Sequence, residues 1–187
     1  LRPGSRLADL VTAGLQTVAV RVPAHPVAHE LITAFGGAVA APSANRSGHV
    51  SPTTARHVSD DLRDAVAVIL DAGPAPVGVE STIVTFGPDD RPLLLRAGGI
   101  PREALEGVIG RLGEAGNVGS RPQAPGMLAS HYAPAVPLRI AATTLTPGES
   151  LLAFGPVLAG ADGGRGVFNL SASGDIREAA ANLFRGL

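Results

Sequence analysis

The sequence predicts an α/β protein with α+β character: a mixed, twisted sheet with packed helices, then a linker, then the start of a second, small α/β domain. Three observations carry this. Short apolar, β-branched runs recur, several separated by turns alone, as a mixed sheet requires. Between them lie segments of helical apolar spacing that open at proline or a capping residue and close at glycine. Over residues 113–137 periodicity stops for about 25 residues, which is long for a loop inside one compact domain.

Taken in order, residues 17–22 read as a strand ending at Pro23, and 26–35 as a helix closed by Gly36 and Gly37. Residues 38–41 read as a buried strand running into the loop PSANRSGHVSP. Ser51 and Pro52 then carry the N-cap and first-turn signature of a helix over about 53–62. Strands over 65–70, 81–86 and 93–96 follow, and a helix opens at Pro101 and runs to 112. Beyond the linker, 138–141, 151–154 and 166–170 read as strands. Asp175, with Glu178 three residues later, caps a helix from Ile176. The expected division is a first domain over 1–112, a linker over 113–137, and the incomplete start of a second domain over 138–187.

Composition bounds the chemistry. The 187 residues are 45% apolar and 17% charged, enough to bury a core, so a disordered tail is excluded. Glycine and proline number 24 and 16 with no three-residue period, which excludes collagen and implies ordered loops. All 15 basic residues are arginine, which removes Schiff-base chemistry and a P-loop lysine. A net charge of −1 gives no electrostatic case for duplex binding. Without cysteine there is no disulfide frame, thiolate zinc site or cysteine nucleophile, which suits a reducing, cytoplasmic location. The longest apolar runs, at 65–70 and 151–161, fall short of the roughly 18 residues of a membrane span, so no membrane is expected. The chain opens at Leu1 without a secretion pattern and reads as an interior piece of a longer protein.

The loop APSANRSGHVSP joins a buried strand to a helix start, the usual setting for an anion cradle. Ser43, Asn45 and Ser51 are its candidate donors; alternatively Ser51 only caps its helix and Asn45 only closes a turn. Arg21 ends an apolar strand and either holds a carboxylate bidentately or is solvated there. Arg96 ends LLLR before AGGI in the same manner, where glycines permit close approach of a ligand. Asp71 and Glu80 flank turns, as caps, surface groups or contacts to substrate or metal. His25 and His29 have metal-capable spacing but no third ligand, so no metal site is assigned. His131 and Tyr132 lie between prolines in the linker, as a lid or a staple.

The strings TVAVRVP, APSANRSGHVSPTTARHV, ILDAGPAPVGVESTIV, LLRAGGIP and APGMLASHYAP, in this order, closely resemble the threonylcarbamoyl-adenylate synthase family, whose catalytic module is the YrdC-like domain. FNLSASGDIREAAANLF resembles part of the C-terminal, Rossmann-like α/β domain of the longer members. The resemblance implies synthesis of threonylcarbamoyl-AMP and pyrophosphate from L-threonine, bicarbonate or carbon dioxide, and ATP with Mg2+, toward N6-threonylcarbamoyladenosine in tRNA. It implies ATP contacts at Thr17, Ser43, Asn45, Ser51, Arg96 and Tyr132, and threonine contacts at Arg21, the Ala41 backbone and Ser81. Arg21 and Arg96 would carry catalysis by stabilising charge, and His131 and Tyr132 would fold across the cleft. No protein ligand for Mg2+ is assigned. The chain resembles a fragment lacking the family's N-terminal lysine-and-arginine motif, so activity is assigned to the longer parent. Downstream tRNA-modification proteins are the expected partners. The alternative class is a non-catalytic RNA-binding or RNA-maturation module, which the net charge disfavours.

Overall fold

The computed structural model describes residues 9–12, 14–15, 17–115, 134, 136–158, 160–161 and 164–187. The chain divides into two compact units, Leu1–Ser43 and Ala44–Leu187. The architecture is mixed α/β, as the sequence predicts.

In the first unit, a 3-10 turn at Asp9–Thr12 precedes α1, Pro26–Phe35. Proline at the first helical position carries no N–H to leave unpaired. Gly36 ends α1 in the left-handed region at φ 72°, its N–H donating to the carbonyls of Ile32 and Thr33. Both ends therefore lie where the sequence puts them.

The second unit opens with α2, Ala55–Leu62. Its N-cap is Thr54, not Ser51 as the sequence suggests: Thr54 Oγ1 accepts the His57 N–H at 3.2 Å. Strands β1, Ile83–Phe86, and β2, Pro92–Arg96, form an antiparallel hairpin. Ile83 opposes Arg96 while Val84 opposes Leu94, so Leu95 is the extra residue of a bulge beside Arg96. Helix α3, Arg102–Ile109, then carries the chain to β3, Gly113–Glu114, which pairs parallel with β2. Arg102 on α3 donates to the Leu112 carbonyl at 2.6 Å and pairs with Glu106 and Glu114. Glu106 in turn accepts the Leu112 N–H, and that bond holds its carboxyl below the ordinary range. Leu112, 3% exposed and next to β3, is thereby held at both its carbonyl and its N–H.

A two-stranded parallel sheet follows, β4 at Ser150–Ala153 and β5 at Gly166–Asn169. Leu151, Ala153 and Ala161 form its buried core, with Leu145 and Leu158 packed against them. In the turn before β4, Arg139 grips both oxygens of Glu149 at 2.9 and 2.5 Å, lowering that carboxyl to about 2. Helix α4, Ile176–Gly186, is capped by Asp175, which accepts the Arg177 and Glu178 N–H groups. Glu178 does not reach back to its cap directly. It accepts from Ser171 Oγ at 2.6 Å, and that hydroxyl accepts the Asp175 N–H at 2.9 Å. The capping box thus closes through a serine that is 1% exposed.

Four expected strands, over 17–22, 38–41, 65–70 and 138–141, are not formed. Many of their apolar side chains are exposed, Val22 to 84% and Ile140 to 81%. A strand exists only against a hydrogen-bonding neighbour, and apolar alternation does not supply one.

Candidate nucleotide and amino-acid site

Two groups of the expected site residues are drawn together, one in each unit. In the first, Arg21 Nη2 donates to the Ala41 carbonyl at 3.1 Å, linking the two residues expected to meet an amino acid. Arginine has five N–H donors in a rigid fork, so this bond orients the guanidinium without exhausting it. Thr17 and Ser43 are exposed in the same unit.

In the second unit the loop ahead of α2 is closed by Asn45, whose Nδ2 donates to the carbonyls of Arg46 and His49 at 3.0 and 3.1 Å. Both amide donors are therefore engaged inside the loop rather than presented to an anion. Asn45 Oδ1 is buried without a hydrogen-bond partner, an acceptor suited to a donor from outside. Asp61 of α2 fastens the loop from below. One of its oxygens accepts the Arg46 N–H at 2.6 Å and the other meets His49 Nδ1 at 2.9 Å. The backbone bond from Arg46, reinforced by His49, holds its carboxyl below the ordinary 3.8.

Asn45, Ser51, His57 and Asp61, with Phe184, Arg185 and Leu187 at the end of α4, line a cleft of about 210 Å³. Ordinary small-molecule sites span roughly 300–1,000 Å³. The cleft accommodates part of such a ligand, not all of it.

Ser51 and Arg96 converge on Glu80, and Arg96 also reaches the Ser81 backbone. Ser51 Oγ donates to Glu80 Oε1, and Arg96 Nη2 lies 3.4 Å from Glu80 Oε2. Arg96 Nε donates to the Ser81 carbonyl at 3.0 Å. The Arg96 side chain is 15% exposed and Glu80's 25%, so this is a half-desolvated charge pair rather than a surface one. The backbone around it is fastened at several points. Gly99 N–H donates to the Glu80 carbonyl at 2.8 Å, and Thr82 Oγ1 bonds both the N–H and the carbonyl of Ile100. A Cβ on Gly98 would stand 2.4 Å from the Glu80 oxygen, so only glycine lets the two segments meet.

Sequence reasoning placed Ser51, Ser81 and Arg96 in the site and weighed Glu80 without giving it this role. It passed over Asp61 and His49, whose only signal was a polar residue on a helix following a polar loop. Asp71 proves to be a turn residue, accepting the Gly73 N–H at 3.0 Å. His131 and Tyr132 lie outside the described residues.

Comparison with known proteins decides the family. The model of the Sua5–YciO–YrdC family, described as telomere recombination, matches residues 1–98, over half of the chain. The chain belongs to this family. The model described as threonylcarbamoyl-AMP synthase, C-terminal domain, matches residues 100–187. The threonylcarbamoyl-AMP synthase of Bacillus subtilis is 50% identical over 137 residues, covering 72% of this chain and 39% of that protein. That of Pyrococcus abyssi is 45% identical over 129 residues, covering 67% of this chain and 38% of that protein. The crystal structure of P. abyssi Sua5 complexed with L-threonine matches with a TM-score of 0.76 at 35% identity, covering 100% of this chain and 58% of that one. A P. abyssi Sua5 structure with a histidine and the following tyrosine replaced by alanine matches with a TM-score of 0.69 at 32% identity, covering 97% of this chain and 56% of that one. The chain thus spans about two-fifths of the curated relatives' length. Among the described residues no helix is long and apolar enough to cross a membrane.

Proposed function

We infer that the protein containing this chain is an L-threonylcarbamoyladenylate synthase, acting in the cytoplasm in the synthesis of N6-threonylcarbamoyladenosine in tRNA. The observation that carries this is the naming of relatives from B. subtilis, P. abyssi and Schizosaccharomyces pombe, 50%, 45% and 43% identical, as threonylcarbamoyl-AMP synthases.

In this reading the threonine amine forms a new N–C bond with carbon dioxide, or with bicarbonate as water leaves, and gives up a proton to become a carbamate. A carbamate oxygen then attacks the α-phosphorus of ATP. The α–β phosphoanhydride bond breaks and pyrophosphate departs with its electron pair. No nucleophilic side chain is required, because alignment and charge stabilisation supply the rate.

Arg21, oriented by the Ala41 carbonyl, takes the threonine carboxylate in its fork, and Ser81 is a further threonine contact. Arg96 meets the nucleotide phosphates. Thr17, Ser43, Asn45 and Ser51 are the other ATP contacts, Asn45 through its unpartnered oxygen, which suits an N–H donor of the nucleotide. Mg2+ enters as part of the MgATP substrate, with no protein ligand assigned to it. His131 precedes the chain's single tyrosine, Tyr132. A histidine–tyrosine dipeptide is also what the P. abyssi Sua5 variant alters, and His131 and Tyr132 are assigned to the segment that crosses the cleft as a lid, with Tyr132 against ATP.

Pyrophosphate release from ATP, followed with threonine and bicarbonate each present or omitted, tests the reading. Release should require all of them. Release indifferent to threonine would sink the assignment.

A further inference from the structure

We propose that Arg185, near the end of α4, is a further nucleotide-binding residue: its guanidinium meets the phosphates of ATP in the cleft it shares with Asn45 and Ser51. The proposal deepens the synthase reading above and rests on it.

An arginine lining a cleft is available to a ligand only if no carboxylate has claimed it. Arg185 is the one arginine among the lining residues, and the one carboxylate side chain there is Asp61. Both Asp61 oxygens are already engaged, one by the Arg46 N–H and the other by His49 Nδ1. Among the described residues Arg185 makes no ion pair and its side chain donates no hydrogen bond. Its side-chain partner is the Phe168 ring, whose centroid lies 6.0 Å from Arg185 Cζ. That contact engages the charge and not the N–H groups, so all five donors of the exposed guanidinium stay open.

Close packing on either side sets where that fork stands. A Cβ on Gly78, which lies at φ 71°, would overlap the backbone of Ala181, so a glycine there seats α4 against the loop that leads to Glu80 and Ser81. Ala181 and Arg185 are four residues apart on a helix and share one face of it, the face turned to that loop. A Cβ on Gly186 would stand 2.7 Å from Phe168 Cδ1 and 2.8 Å from Leu152 Cδ2, so the end of α4 is pressed onto the sheet of β4 and β5. An arginine whose backbone is held in this way loses less freedom on meeting a ligand than one on a loop.

Phosphate is the chemistry that suits it. Asn45 Oδ1 offers the cleft an acceptor, and in ATP the adenine amino group is the N–H that can satisfy it. Phosphate oxygens need donors instead, which Arg185 supplies as a planar, bidentate fork. Asn45 and Arg185 are thus complementary, one for the base and one for the phosphates.

Binding of MgATP and of adenosine to the full-length protein, with Arg185 unaltered or replaced by Gln or Lys, tests this. Arg185→Gln should weaken MgATP binding about tenfold and leave adenosine within about twofold. Arg185→Lys should fall between, since it keeps the charge and loses the fork. In the unaltered protein MgATP should shift the Arg185 Nε–H signal in NMR and adenosine should not, a readout that needs no variant to fold. MgATP affinity unchanged in Arg185→Gln, equal losses for MgATP and adenosine, or an Arg185 signal indifferent to MgATP would each overturn the proposal. Pyrophosphate release that still requires threonine would then leave the synthase reading standing, whereas an unaltered protein that does not bind MgATP would overturn both.

Discussion

Asp61 on α2 accepts the backbone N–H of Arg46 at 2.6 Å, fifteen residues earlier in the chain. A helix is thereby used as a fixed post for the polar loop that precedes it. Because the bond favours the ionised carboxylate, the folded Asp61 stays charged below its ordinary value of 3.8. A depressed pKa contributes stability that is complete above the unfolded value and is lost as pH falls through the folded one. The Arg46 amide shift, followed by NMR during acidification, should hold through neutral and mildly acidic pH and move with a midpoint below 3.8. A midpoint at or above that value would mean the bond is absent in solution. Asp61→Ala should release the loop and accelerate Arg46 amide exchange about tenfold or more.

The cap of α2 separates two serine and threonine roles. Thr54→Ala removes the acceptor of the His57 N–H and should cost about 1 kcal/mol in thermal or denaturant unfolding. Ser51→Ala leaves that cap intact and should act on ATP use more than on the helix. Equal destabilisation with no change in ATP use would return Ser51 to a purely structural role.

Gly98 and Gly107 should respond to alanine with opposite signs. Gly98→Ala drives a Cβ to 2.4 Å from the Glu80 carbonyl oxygen, a backbone atom with nowhere to go, and should destabilise by about 1–3 kcal/mol. Gly107, inside α3, has nothing within 4 Å of an added Cβ. Gly107→Ala should stabilise by about 0.5–1 kcal/mol, since alanine is the better helix former. Chemical denaturation of the two variants checks both signs.

Arg21→Ala should weaken threonine use far more than ATP use, by on the order of 2–4 kcal/mol when a carboxylate loses its bidentate partner. Arg21→Lys should rescue only partly, because a point charge cannot reproduce the fork. The measurement is KM for each substrate separately, and matched losses for both would remove the threonine role of Arg21.

How far the sequence could be read follows from what each element depends on. The helices carry their own punctuation: Pro26 and Gly36 bracket α1, and Asp175 opens α4. The hairpin strands were legible because each finds its partner a few residues away. Residues 17–22 and 65–70 have equally good composition but pair with no other segment among the described residues, and apolar content alone did not make strands of them. Likewise Ser51 and Arg96 were legible as polar residues in apolar or loop settings, whereas the carboxylate joining them lies 29 residues from Ser51. Only the fold brings such a pair together.

The bulge at Leu95 makes the hairpin unequal in its tolerance of insertions and deletions. Residues added or removed in the turn over 87–91 lengthen or shorten one end of the ribbon, while the extra residue on β2 keeps its own count beyond them. Deleting Leu95 itself would restore an unbroken ladder with Arg96 still opposite Ile83, but would straighten the bend that the bulge imposes and so re-aim the Arg96 guanidinium. The same loss of one codon would thus be nearly silent at one end of the hairpin and disabling at the other, although the sheet left behind would be the more regular.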